Sequence, residues 1–323
     1  MHNPKPEKCL VCGSPEGITF LESYTDPLLG TTYDLFSCSA CDVWFWNPLK
    51  NPGSAWYERD ERYAGRNEDP ILDPTENHKR TIAFLDSKKG RVLDIGCGVG
   101  NFLAHAASKG WECYGIDFDR DAIEAGKHTF GLEHLEVADL REFKEQHPDL
   151  TFDLVTAFDV FEHIDNHQEF IELMKGLLKP GGHIAMTMPY RKRALWLMSG
   201  DLPPRHLTRW DRGALSKFLE KHGFIVERIE RQNEGLRPVL MKMRFRYGKH
   251  FSIGLVNSVK ASVQKGEKKA PSGAQKFKIK IALLLARTKD IILFGIPALA
   301  IWLYMLPGER RYITLFVIAK LKE

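Results

Sequence analysis

The twelve residues Val92-Leu-Asp-Ile-Gly-Cys-Gly-Val-Gly-Asn-Phe-Leu103 constrain this chain more than any others. They read as a buried strand (Val92, Leu93, Ile95), a carboxylate at Asp94, a glycine turn and the start of a helix. Gly96, Gly98 and Gly100 let a ligand lie against bare backbone at a helix N-terminus. Nucleotide-type ligands use this geometry. A dinucleotide fingerprint spaces its glycines as G-x-G-x-x-G. Here the third glycine of that pattern would fall at Asn101, and the glycines alternate instead as G-x-G-x-G. For this run alone, a tight strand–helix turn without a ligand is the plain alternative.

The flanking sequence extends the pattern. Periodicity and breakers predict helices over 74–86, 101–109, 120–129, 167–178 and 211–222. They predict strands over 91–95, 112–116, 135–138, 153–157, 183–188, 224–231 and 312–321. Lys179-Pro-Gly-Gly182 reads as a strong helix stop. Strands alternating with helices predict an α/β fold around a parallel sheet, and there is no internal repeat. Open sheets of this kind bind ligands at the C-terminal edge of their strands. Three acids fall at successive strand ends there. Asp117 lies some 20 residues past the turn, which suits ribose hydroxyls, and Asp139 and Asp159 follow the next two strands. Each acid alone has the alternative of an ordinary loop carboxylate.

Taken together, these motifs resemble the class I S-adenosylmethionine (SAM) methyltransferases. The acid Asp94 ahead of G-x-G-x-G is similar to their first motif. Phe158-Asp-Val-Phe-Glu162-His163 is similar to the "LEH" segment of the ubiquinone-biosynthesis type, and Leu177–His183 to the "L(K/R)PGG" turn. The resemblance covers about 75–231 and 309–323. It implies a Rossmann-like seven-stranded sheet whose last strand is antiparallel and pairs with strand 6. It also implies SAM as cofactor, contacted by Asp94, Gly96, Cys97, Gly98, Gly100, Asp117, Leu140, Phe158 and Asp159. Phe118 would pack on the adenine and Asp139 would meet its amino group.

Four of the six cysteines form Cys9-x2-Cys12 and Cys38-x2-Cys41. Met1–Glu7 contains no apolar signal run, so the expected compartment is the cytoplasm, where thiols stay reduced and such pairs bind metal. Four thiolates suit a structural Zn2+ and leave no open position for catalysis. Residues 1–48 are too few to bury an adequate core, so metal binding would supply folding energy. Some relatives by resemblance carry such a ribbon ahead of the methyltransferase domain. The expected organisation is a zinc ribbon over 1–48, a linker over 49–73, the SAM-binding core over 74–236, a basic and apolar helical insertion over 237–308, and a final core strand over 309–323.

Charge sets the insertion apart. Residues 237–289 hold 14 Lys or Arg against the single acid Glu267, a charge of +13, while the rest of the chain carries −9. Residues 291–306 follow with no charge at all. A 16-residue helix spans about 24 Å, short of the roughly 30 Å of bilayer hydrocarbon. Gly295 and Pro297 interrupt it as well. Basic residues beside apolar ones suit an anionic membrane surface, giving a cytoplasmic protein peripheral at the inner face. A lid over the active site or a dimer contact is the alternative.

Methyl transfer to a hydroxyl or an acidic carbon is helped by a base, and the candidate catalytic residues are His163 and His206. A capping or packing role is the alternative for each. The expected acceptor is a small molecule or lipid-linked compound. An RNA methyltransferase using the ribbon and the basic segment is an alternative. It is disfavoured because the segment's aromatic residues cluster with aliphatic ones instead of being spaced for base stacking. A non-catalytic SAM-binding scaffold is a further alternative. The Asp/Asn/Ser-Pro-Pro-aromatic signature of DNA amine methylation is absent after strand 4, and no Pro-Cys is present for cytosine-C5 chemistry.

Overall fold

The computed structural model describes residues 3–27, 29–53, 56, 74–85, 89–192, 201–233, 235–236, 239–240, 243 and 291–322. Most of the 49–73 segment and nearly all of the basic 237–289 segment lie outside these residues. The chain divides into two units. One comprises Met1–Lys192, Ser199–Gln232 and Ile313–Glu323; the other comprises Arg193–Met198 and Asn233–Tyr312.

The first unit begins with a small antiparallel sheet. β1 (Ile18–Thr25) pairs with β2 (Thr32–Cys38), and β2 with β3 (Trp44–Asn47). β2 and β3 flank the second cysteine pair. Tyr33, Leu35 and Trp46 cluster on one face of this sheet, and Phe36 and Phe45 are buried on the other.

Next come α1 (Glu76–Phe84), β4 (Arg91–Ile95), α2 (Asn101–Ser108), β5 (Glu112–Asp117), α3 (Arg120–Phe130), β6 (His134–Val137), α4 (Leu140–Gln146), β7 (Phe152–Phe158) and α5 (His167–Gly176). Side-chain oxygens cap most of these helices: Thr75 for α1, Asp119 for α3, Asp139 for α4 and Asn166 for α5. Each cap satisfies a backbone N–H that the first helical turn leaves without a partner. The unit continues with β8 (Leu178–Pro189), β9 (Thr208–Arg209), α6 (Arg212–Lys221), β10 (Phe224–Asn233) and, after the second unit, its last strand, called β11 below (Tyr312–Leu321).

The main sheet has the order β10–β11–β8–β7–β4–β5–β6. β4, β5, β6, β7 and β8 run parallel, and β11 lies antiparallel to β8. This is the α/β, Rossmann-like, seven-stranded sheet expected. β4 and β7 are buried on both faces over most of their length, which is why they read as mostly apolar. Phe102, Leu103 and Ala106 of α2 bury against Val92, Cys113 and Leu135. Each large side chain buried this way contributes about 1.5 to 3 kcal/mol.

One expectation needs correcting. Lys179–Gly182 follows a helix end as a stop should, but it lies within a strand that begins before the expected 183. α5 ends at Gly176, and β8 already begins at Leu178. Phe152 pairs with Leu178 and Leu154 with His183, so the intervening residues bulge out of the ladder. Pro180 has no N–H to give to the ladder, which suits it to a bulge. β9 is a second surprise. It joins the small sheet as its fourth strand, beside β3.

The second unit contains a π-helical turn (Ile291–Gly295), α7 (Ile296–Met305) with proline in its first turn, and a 3-10 turn (Gly308–Arg311). Val239, Met243, Phe294, Ala298 and Met305 form its small core. No helix among the described residues is long and apolar enough to cross a membrane.

Candidate functional site

The glycine turn joins β4 to α2 at the C-terminal edge of the sheet. Gly96 and Cys97 both donate to the Ile116 carbonyl, which ties the turn to β5. Gly98 has φ +53, and a Cβ added there would meet nothing within 4 Å. Gly100 has φ +81 and precedes α2 without a capping side chain. A Cβ at Gly100 would approach Leu132 to 2.6 Å. The turn is therefore closed on one side and open at Gly98, beside an uncapped helix N-terminus.

Asp117 ends β5 and holds this turn. Its Oδ2 accepts from the Gly98 N–H at 2.8 Å, and its Oδ1 from the Asp119 N–H at 2.9 Å. Each oxygen keeps a further lone pair for a hydroxyl donor. Burial raises the Asp117 pKa. Asp94 is more deeply buried. Its Oδ1 accepts from Thr156 Oγ1 at 2.6 Å, and burial raises its pKa from 3.8 to about 7. Cys97 is buried, and desolvation holds its thiol protonated.

The other expected residues lie around the same edge. Phe118 is exposed. Asp139 uses Oδ1 to cap α4, accepting from Arg141 and Glu142 N–H, while Glu142 returns a bond to its backbone. Leu140 is buried as the first residue of that helix. Phe158 packs against Phe102 and His78, with ring centroids 5.0 Å away in both cases. Asp159 takes φ +55, and its N–H donates to the Thr187 carbonyl at 3.0 Å. Its Oδ1 accepts from Thr187 Oγ1 at 3.1 Å. An open cradle, an uncapped helix N-terminus and a carboxylate at the next strand end fit a nucleoside-type cofactor such as SAM.

His163 and His206 come together despite lying 43 positions apart in sequence, with ring centroids 4.8 Å apart. His163 Nδ1 lies 2.7 Å from the Arg205 carbonyl, which can only accept. That contact makes Nδ1 the donor. His206 Nδ1 lies 3.2 Å from Asp201 Oδ1, and its Nε2 lies 3.8 Å from Glu162 Oε1. Asp201 and Glu162 are both buried. Ligand atoms of Glu162, His163 and His206 all lie within 4.8 Å of one another.

The four cysteines Cys9, Cys12, Cys38 and Cys41 also converge, with their sulfurs within 4.8 Å of one another. Cys9 and Cys41 sulfurs are 3.8 Å apart, as are those of Cys12 and Cys38. A tetrahedral Zn2+ with bonds of about 2.3 Å needs sulfurs about 3.8 Å apart. The donor set therefore fits zinc.

Residues 63–229 match the family model described as Methyltransferase domain. The chain belongs to this family. It is 28% identical to the ubiquinone biosynthesis O-methyltransferase of Photorhabdus laumondii over 34% of this chain and 47% of that relative. It is also 28% identical to the protein of the same name from Pectobacterium atrosepticum, over 50% of this chain and 72% of the relative. The chain thus spans about half the length of the first of these relatives. A solved SAM-dependent methyltransferase from Archaeoglobus fulgidus superposes with a TM-score of 0.48 at 21% identity, covering 82% of this chain and 99% of the other.

Several residues of this candidate site escaped the sequence reading. Glu162 stood in plain view beside His163 but carried no assigned role. Asp201 and Arg205 are fixed only by the folded loop. His78 both completes the α1 cap and packs over Phe158, and burial lowers its pKa to about 4. The Asp139-x-x-Glu142 spacing is a readable capping signal, and it gives Asp139 a structural duty beside any contact with a ligand.

Proposed function

We propose that this methyltransferase moves the methyl group of SAM to a small, lipid-type acceptor at an anionic membrane surface. The observation that carries the reading is the imidazole pair, His163 and His206, just past the strand end that flanks the glycine turn. Each Nδ1 faces a hydrogen-bond acceptor, and His206 Nε2 also lies 3.8 Å from Glu162 Oε1.

SAM supplies a methyl already activated by its sulfonium. The backbone of Gly96, Cys97, Gly98 and Gly100 would hold it, with Asp117 on the ribose and Asp94 near its cationic end. Phe118, Asp139 and Leu140 would border the adenine, and Phe158 and Asp159 the remaining wall. His163 or His206 takes the proton of an acceptor hydroxyl or acidic carbon at Nε2. The Asp201 carboxylate orients His206 and offsets the charge it gains. Cys9, Cys12, Cys38 and Cys41 would hold a structural Zn2+, and the 1–48 ribbon would depend on it for its fold.

The membrane part of the reading is supported by α7. Ile292, Ile296, Leu299, Leu303 and Leu306 are exposed at helical spacing, with Tyr304, Arg310 and Arg311 at the end. Residues 237–289, at +13, supply the charge that anionic headgroups attract. The names of the relatives, which place them in ubiquinone biosynthesis, are in keeping with a lipid-type acceptor. The protein would work at the cytoplasmic face.

The test is transfer of labelled methyl from SAM into a fractionated extract of the native cell, with Asp117→Ala as the control. Label in the organic phase, lost in the control, is the expected result. Label in RNA or in small polar metabolites overturns the lipid reading. SAM binding with no transfer to any fraction favours a scaffold instead.

A further inference from the structure

The four-cysteine sheet is wired by backbone into the segment that bears His206. β3 pairs with β9 in antiparallel register, Trp44 opposite Arg209 and Phe45 opposite Thr208. One step beyond that ladder, the Trp46 N–H donates to the Leu207 carbonyl at 2.9 Å. The Leu207 N–H then donates to the Glu162 carbonyl at 2.8 Å. Leu207 is thus a two-sided splice between the cysteine sheet and the strand end that presents Glu162 and His163. Its neighbour Arg205 accepts from His163, and its neighbour His206 faces Glu162.

Arg191 clamps the same junction from outside the segment. It is buried. Nη1 donates to the Asp42 carbonyl and lies 3.1 Å from Asp42 Oδ1. Asp42 directly follows Cys41 and sits at φ +60, where its N–H returns to the Cys38 carbonyl at 2.8 Å. Nη2 donates to the Asp211 carboxylate, whose other oxygen caps α6 through the Ala214 N–H. The guanidinium also stacks over Trp44 at 5.0 Å. The Arg191 N–H donates to the Trp210 carbonyl at 2.8 Å. One side chain therefore ties the second cysteine turn, β3 and the exit of the 201–211 segment. Such a planar, multi-donor clasp is a task that lysine cannot reproduce.

We infer that the cysteine ribbon is a positioning element of the acceptor site: through the β3–β9 pairing, the Leu207 splice and the Arg191 clasp, it sets His206 against Glu162 and His163. Arg191 is a positioning residue, since it touches neither imidazole. The cofactor cradle is wired differently. Among the described residues, Asp94 and Asp117 make their bonds to Thr156, Gly98 and Asp119 and none to the ribbon. Loss of the ribbon's order should accordingly blunt the acceptor side and leave the cofactor side in place. The inference rests on the reading of His163 and His206 as the acceptor-side pair. Its test needs no knowledge of the acceptor.

The experiment is hydrogen exchange on the full chain, comparing the wild type with Arg191→Gln and with Cys41→Ser, alongside metal content and SAM affinity. Imidazole NMR signals of His163 and His206 are followed in the same samples. In Arg191→Gln, amide exchange over 205–209 is expected to rise by about tenfold or more, as local opening frees the Leu207 bonds. Exchange over 92–95 should stay at its wild-type value, SAM affinity within about threefold, and both imidazole signals should shift. Cys41→Ser, which removes one expected zinc ligand, should do the same together with loss of metal. Opening of 44–47 while 205–209 keeps its protection and the imidazole signals stay put would overturn the inference. So would an opening that spreads to 92–95 and abolishes SAM binding, since the ribbon would then support the whole unit and not the acceptor side. A failure to find methyl transfer into lipid leaves these exchange readouts untouched, so the two ideas fail separately.

Discussion

Replacing Asp94 with Asn isolates a buried carboxyl just ahead of the glycine turn. Burial raises its pKa from 3.8 to about 7, with a smaller push from the negative Asp117. In the unfolded chain the same group would titrate near its ordinary value. Between about pH 4 and pH 7 the folded protein therefore holds a proton that the unfolded chain has released, and stability falls as pH rises through that window. A shift of about three units corresponds to about 4 kcal/mol, a large share of a typical folding free energy of roughly 5 to 15 kcal/mol. Asn keeps the shape and can still accept from Thr156 Oγ1, but it has no proton to lose. Asp94→Asn should therefore match the wild type near pH 4.5 and exceed it by about 2 to 4 kcal/mol at pH 8. His78 and His167, lowered by burial to about 4 and about 3, act in the opposite sense as pH falls below 6.5. The difference between the two proteins removes their contribution. The assay is urea unfolding at pH 4.5, 6 and 8, with SAM titrated into each. The same variant should bind SAM more weakly at pH 8, because the anion proposed to lie near its cationic end is gone. A stability difference that does not change with pH would refute the assignment of the proton to Asp94.

Three further outcomes are expected. Asp117→Ala should weaken SAM binding by about tenfold or more, because it loses both the ribose acceptor and the tether on Gly98, while far-UV circular dichroism stays unchanged; an unaltered Kd would remove Asp117 from the cradle. Gly100→Ala should cost about 2 kcal/mol or more, since positive φ and the Leu132 approach combine, whereas Gly98→Ala should cost about 1 kcal/mol yet lower SAM affinity more steeply. Equal stability costs with SAM affinity intact at Gly98 would contradict an open cradle there. Leu299→Asp with Leu303→Asp should abolish co-flotation with phosphatidylglycerol vesicles while leaving SAM binding as it is, and retained flotation would remove α7 from membrane contact.

The cradle was legible because its causes are local. Apolar β4, alternating glycines and the apolar face of α2 each leave a mark within a dozen residues. The four cysteines were legible for the same reason, two short spacings with one chemistry. What escaped was fixed by distance along the chain. β9 is two residues long and owes its strand to β3, more than 160 positions earlier. Nothing near Thr208 announces that partner. Asp201 and Glu162 gain meaning only when the loop after β8 folds back over the β7 exit. Lys179–Gly182 misled over where β8 starts because proline and paired glycines mark a helix stop and a strand bulge equally well, and only the register with β7 reveals the second. Asp139 carries two readings at once. A resemblance assigned it to a ligand, while the D-x-x-E spacing beside it already spelled a helix cap.

β11 has a consequence for how the chain is made. It lies between β8 and β10, yet it leaves the ribosome only after all the residues between Asn233 and Tyr312. Until then β8 presents an unpaired edge lined by Ile184, Ala185, Met186 and Met188, all buried in the finished sheet. Such an edge invites pairing with other chains. The nascent polypeptide thus passes through an interval in which the cofactor half is assembled and one flank is sticky. Chaperone demand and any loss to aggregation during synthesis should concentrate there, and lengthening the insertion should prolong the exposure.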